Sequence, residues 1–216
     1  MIILEGDIWT RWEAKRKELE TRDRWELAGL FRGHEGSAFR RADKRVLYVG
    51  KATAGLYDPR PENENFFGCN RRAFWSFARR LNKLTGGNPG ELENIAWSNL
   101  CKIGAVIGNP DDALVDAQAV LAVETLRQEW VQLRPTLVVC VAEGWHEELV
   151  YRAFNVTQNQ GDGFEVVPVS GSEFWRRPAI DGMPAFLWMK HPQGKRREYI
   201  DAAEAIAKAM LMSEGI

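Results

Sequence analysis

The chain has 216 residues, of which 27% are charged and 45% hydrophobic, the proportions of a soluble globular domain and not of a disordered one. Lys and Arg total 29 against 30 Asp and Glu, so a net charge of -1 gives no global attraction for a polyanion, and any nucleic-acid binding must come from a local basic face. Cys69, Cys101 and Cys140 are widely spaced and form no Cys-x-x-Cys pair, which argues for reduced thiols and against a zinc or iron-sulfur framework.

Residues 7 to 31 read as two consecutive helices, capped by Asp7 and Thr21, with Trp9, Trp12 and Leu19 on one stripe and Trp25, Leu27, Leu30 and Phe31 continuing the apolar theme. The three tryptophans point to aromatic packing, with a lid or a base-stacking role as the alternative. Residues 1–44 then form an amino-terminal helical extension packed on a single domain that spans 1–216. Gly33 to Ser37 reads as a loop, and His34, without potential ligands around it, as a surface histidine. The run Val46-Leu47-Tyr48-Val49 is a buried strand that ends abruptly in the small residues Gly50, Lys51, Ala52, Thr53, Ala54 and Gly55. Ligands of open α/β sheets bind beyond the carboxyl ends of the strands, so this loop is either a binding floor whose amides approach a ligand or an ordinary tight connection to a helix.

The segment 56–65 contains Pro59 and Pro61 and reads as a loop at the mouth of that site. Residues 70 to 84 form a helix with Phe74, Phe77, Leu81 and Leu84 at helical spacing, and they carry Arg71, Arg72, Arg79, Arg80 and Lys83, a face that contacts phosphate or is simply solvated. A second strand over residues 94 to 99 delivers Asn99 and Lys102 to its end. A long helix follows from about Ala113 to Leu133, stopped by Arg134-Pro135, and Thr136 to Val141 is a short buried strand rich in β-branched residues. Glu143 to Phe154 reads as a helix on which His146 is exposed, Phe164 to Val169 as an edge strand, and Glu173 to Pro178 as a surface loop. Ala185 to Met189 is a further strand, followed at once by Lys190-His191-Pro192, and a helix from about Arg197 to Met212 closes the chain.

Four strands therefore end in polar or small residues, at Gly50 to Gly55, Asn99 with Lys102, Ala142-Glu143-Gly144 and His191-Pro192. Helices between successive strands favour parallel crossovers, which gather those ends on one edge of the sheet. The expected fold is an α/β three-layer sandwich around a mostly parallel sheet of four or five strands. Without a membrane-length apolar run or a basic, apolar leader, a cytoplasmic location is expected.

The order of these features resembles the uracil-DNA glycosylase superfamily. The resemblance runs from about residue 45 to 210 and rests on Gly50 to Gly55 as the first loop, Asn65-Phe66-Phe67-Gly68 as the stacking aromatic, Asn99-Leu100-Cys101-Lys102, Pro135-Thr136-Leu137-Val138-Val139, and His191-Pro192. It implies a DNA-repair hydrolase in which Gly50, Lys51 and Ala52 lie beside a flipped base, Phe66 stacks on it, Asn99 reads its amide edge and His191 stabilises the departing anion. Arg71, Arg72, Lys190, Lys195, Arg196 and Arg197 would hold the phosphates. The first loop departs from the family, because Lys51-Ala52-Thr53 stands where many members carry an Asp or Asn that positions water, and Asp58 is the nearby substitute. Gln193 to Arg197 likewise replaces the apolar wedge that fills a vacated base stack, which favours single-stranded DNA or a nucleotide over a duplex. The implied function is recognition of a nucleobase, with hydrolysis of the N-glycosidic bond of uracil or a modified base in DNA. The alternative is a non-catalytic nucleotide- or nucleic-acid-binding module on the same fold. No cofactor or metal is implied, and the first loop lacks the Gly-x-Gly-x-x-Gly of a dinucleotide site.

Overall fold

In chain order the computed structural model contains α1 (Ile8–Glu20), β1 (Leu27–Leu30), β2 (His34–Glu35), β3 (Val46–Ala52), α2 (Ala73–Leu84), β4 (Ile95–Cys101), β5 (Ile103–Ala105), α3 (Asp112–Leu133), β6 (Leu137–Cys140), α4 (Glu147–Phe154), β7 (Glu165–Val169), β8 (Ser172–Arg177), β9 (Ala185–Trp188) and α5 (Arg197–Ser213). It describes residues 2, 4, 6–22, 24–53, 72–156, 163–169, 171–180 and 182–213. Each of β3, β4, β6 and β9 is an almost wholly buried apolar run, as strands covered on both faces must be. They are parallel neighbours in the order β4-β3-β6-β9, with Val46 opposite both Ile95 and Leu137, and Leu137 opposite Ala185. The chain steps from β3 outward to β4, then returns across β3 to β6, so the switch of direction that opens a crevice in such sheets lies between β3 and β6.

Side-chain alternation along β3 divides the core in two. Val46 and Tyr48 point to the face covered by α2 and α5, where Phe77, Leu81, Ala203 and Met210 pack, whereas Leu47 and Val49 meet α1, α3 and α4. The amino-terminal segment joins this second face through Trp12 and Leu19, and Trp12 Nε1 donates to Thr125 Oγ1 at 2.8 Å.

Antiparallel strands extend the parallel core to seven, with β2 beside β4 at one edge and β8 and β7 beyond β9 at the other. The sheet is thus wider and more mixed than the four or five strands expected from the sequence. The amino-terminal region is also not all helical. Thr21 closes α1 instead of opening a second helix, and Leu27–Leu30 is a strand whose Ala28 and Leu30 are buried while Leu27 and Gly29 are half-buried. It pairs antiparallel with β5, forming a small second sheet. The segment expected as a surface loop at Glu173 to Pro178 is largely β8, anchored by the fully buried Phe174.

Two histidines read as exposed are not. His34 is half-buried in β2, where burial depresses its pKa to about 4, and His146 lies just before α4 in a left-handed conformation, between Asp112 and Glu148. Lys102, expected at an open strand end, is wholly buried under the sheet, with Nζ 2.7 Å from Glu129 and a hydrogen bond to Ser98. No described helix is long and apolar enough to cross a membrane.

Candidate functional site

The carboxyl ends of the four parallel strands share one edge, and their last residues are held by contacts that cross between strands. Gly50 lies opposite Asn99 in the register of β3 and β4. A Cβ at Gly50 would stand 2.6 Å from Asn99 Oδ1 and 3.2 Å from Phe74 Cε2, so the missing side chain is what lets β3, the Asn99 amide and the first turn of α2 meet. Asn99 is 1% exposed; its Oδ1 accepts from Trp97 Nε1 at 3.2 Å and its Nδ2 donates to Thr53 Oγ1 at 3.0 Å. Among the described residues each amide atom has one partner, which leaves an acceptor site on the oxygen and a proton on the nitrogen.

Phe74 is the hub of this edge. Its half-buried ring packs against Tyr48 at 4.4 Å and Trp97 at 5.9 Å, and stacks on His191 at 5.5 Å with 19° between the planes. His191 is therefore joined to Gly50 and Asn99 through one aromatic ring, although β9 and β4 are three strands apart. Nδ1 of His191 accepts from the backbone N–H of Gln193 at 3.2 Å. Burial, aided by the charge of Lys51, lowers the imidazole pKa to about 4. The ring is thus neutral at physiological pH, and with Nδ1 used as an acceptor its proton sits on Nε2. Lys51 is itself half-buried, with Nζ 5.8 Å from the centre of the Trp145 ring, and burial together with Lys195 pushes its pKa down.

Between these groups comes the loop after β6. The N–H of Glu143 donates to Met189 O at 3.2 Å, which ties the loop to the end of β9. The Glu143 side chain is 12% exposed, and its Oε1 lies 3.9 Å from Lys190 Nζ, beyond hydrogen-bond reach. Oε2 is buried without a hydrogen-bond partner among the described residues. Burial raises the pKa of this carboxyl; Glu147 and Glu173 push it further up, while Lys190 and Lys195 act against the shift.

Of the residues singled out in the sequence, Gly50, Asn99 and His191 meet around Phe74, and Lys51 acts electrostatically on His191. Ala52 instead packs against the core on the α1, α3 and α4 side. Arg72, Lys190, Lys195, Arg196 and Arg197 are exposed, Lys195 Nζ lying 5.8 Å from the Tyr199 ring centre and Arg197 3.5 Å from Asp201. Further along α2, Arg80 is bound by Asp201 and Glu204 of α5, at 2.6 and 2.9 Å, so that part of the basic helix face serves packing. Asp58, Phe66 and Arg71 lie outside the described residues.

Three residues of this edge carry no assignment from the sequence: Phe74, which reads there as one more member of an apolar helix stripe, Glu143 and Trp145. The strand end at Ala142-Glu143-Gly144 is the only signal that marks Glu143. Among the described residues no three His, Cys, Asp or Glu side chains are grouped to hold a metal ion. A comparison with known protein families and with curated proteins finds no match for the chain.

Proposed function

We propose that this protein recognises a nucleobase at the carboxyl edge of its parallel strands and hydrolyses the N-glycosidic bond of uracil or a modified base in single-stranded DNA. The observation that carries the reading is His191: a neutral imidazole with its proton on Nε2, stacked on Phe74 and flanked by the charge of Lys51. Breaking a glycosidic bond leaves negative charge on the departing base. A fixed donor beside a lysine stabilises that charge more in the transition state than in the bound substrate. The spare acceptor and proton of the Asn99 amide match the imide edge of a uracil-like ring, and the order of motifs along the chain supports the same assignment. Lys190, Lys195, Arg196 and Arg197, all exposed beside His191, supply the phosphate contacts.

The test is release of free base from a single-stranded uracil-containing oligonucleotide. His191→Ala lowers kcat by about 10²- to 10³-fold if the imidazole donor acts as described. Circular dichroism should show the fold retained, and oligonucleotide affinity should fall steeply with added salt. A second reading, a binding module without turnover, is favoured by one observation: both atoms of the Asn99 amide are already engaged by Trp97 and Thr53 in the free protein. In that case His191→Ala and Asn99→Ala weaken nucleotide binding and there is no base release to lose.

A further inference from the structure

We propose that Glu143 is the general base of this site, its carboxylate taking a proton from the water that attacks the anomeric carbon. The inference rests on the hydrolytic reading above and supplies what the first loop lacks, since Lys51-Ala52-Thr53 contains no carboxylate.

Three observations carry it. The first is position. Because β6 lies between β3 and β9, Glu143, three residues past the end of β6, leaves the sheet between the last residues of β3 and the segment Met189 to His191 that follows β9. The bond from Glu143 N–H to Met189 O and the Lys51 contact with Trp145 tie it to both neighbours. The second is an unused oxygen. A buried carboxylate oxygen without a donor costs free energy, yet Glu143 Oε2 has none among the described residues, and Lys190 stands 3.9 Å off the other oxygen. A closed ion pair would occupy the lone pairs that a water proton needs. The third is the charge around it. Lys190, just past β9, and Lys195 in the next loop bring positive charge to bear on it, Glu147 of α4 and Glu173 of β8 add negative charge, and Tyr199 of α5 feels its field. Burial outweighs the lysines and makes the carboxylate a stronger base than an exposed one.

The step balances as a hydrolysis. The water oxygen bonds to C1′ of the deoxyribose while the bond from C1′ to the base nitrogen breaks, its electron pair leaving with the base. The water proton passes to a Glu143 oxygen, and the His191 Nε2 proton holds the base anion by a hydrogen bond. The anion then takes a proton from solvent and Glu143 returns its own, so one water is consumed and free base and a sugar hemiacetal are formed.

The experiment is single-turnover base release from a single-stranded uracil oligonucleotide, measured from acid to mildly alkaline pH for the wild type, Glu143→Gln and Glu143→Asp, with affinity read separately by fluorescence anisotropy. Glu143→Gln should slow release by about 10²- to 10⁴-fold and leave affinity within about threefold, because a base acts in the chemical step. The wild-type rate should fall on the acid side about tenfold per pH unit, a limb that Glu143→Gln loses and Glu143→Asp keeps together with part of the rate. A wild type that releases base while Glu143→Gln matches it at all pH values overturns the inference and leaves the hydrolytic reading standing. A wild type that binds the oligonucleotide but releases no base at any pH overturns both.

Discussion

Two lysine–glutamate pairs in this protein are built from the same side chains and end in opposite states. Lys102 and Glu129 are both 0% exposed, in contact at 2.7 and 2.9 Å, and Ser98 completes the cluster by accepting from the lysine and donating to the glutamate. Lys190 and Glu143 stand 3.9 Å apart at the sheet edge, the lysine half-exposed and one carboxylate oxygen unpartnered among the described residues. Burial drives the Lys102 ammonium below its ordinary pKa, and Glu129 works against that shift. The first pair satisfies nearly all of its hydrogen-bonding capacity, which is what a buried charge requires to be tolerated. The second leaves capacity free, among the described residues, at the sheet edge that also carries Gly50 and His191, and free capacity is what chemistry uses. The contrast separates a group that holds the fold from one held in readiness by it.

The largest effect should come from opening the closed pair. Lys102→Met strands a buried carboxylate and should cost about 3–5 kcal/mol in urea unfolding, whereas Lys102→Met with Glu129→Leu should recover most of that loss. If the single variant melted like the wild type, the cluster would not be the strut described. Next comes Gly50→Ala, whose methyl group meets Asn99 Oδ1 at 2.6 Å; overpacking of this kind costs about 1–3 kcal/mol and should weaken oligonucleotide binding as well.

Glu143→Gln should act in the other direction. A carboxyl whose pKa is raised in the folded state penalises folding above that pKa and does not below the unfolded value. The glutamine variant should therefore gain about 1–3 °C in Tm near pH 8, and the gain should vanish in acid; an equal gain at both pH values would exclude ionisation as its cause. The smallest change concerns His34. Its pKa is depressed from 6.5 to about 4, so its contribution is complete above pH 6.5 and is lost as pH falls through 4. His34→Asn should flatten the decline in Tm across that window and leave oligonucleotide binding unchanged.

What the sequence discloses follows the same division. The four parallel strands are readable because burial on both faces forces continuous apolar runs, and the placement of Gly50, Asn99 and His191 in or just after the last residues of β3, β4 and β9 follows from where those runs give way. The strand Leu27–Leu30 escapes, since Trp25, Leu27, Leu30 and Phe31 also fit a helical stripe and only four residues are available to show alternation. Ser172–Arg177 escapes because Glu173, Arg176 and Arg177 break any apolar run, although Phe174 and Arg177 are buried in the folded sheet. In the site, Phe74 shares its helix with Phe77 and Leu81, and nothing local distinguishes a ring that meets His191 from one that meets the core. Lys102 reads as an open strand end because its partner, Glu129, lies on a helix 27 residues later, a contact created only by the tertiary fold.

The central place of β3 also sets the order in which the protein can be made. Its partners on either side come from residues 95–101 and 137–140, so when Val46–Ala52 leaves the ribosome neither flank of the strand exists. Loop closure over such separations is slow compared with helix formation. This buried strand must therefore wait without its second flank until more than half of the chain has been synthesised, an interval in which its apolar surface is open to aggregation.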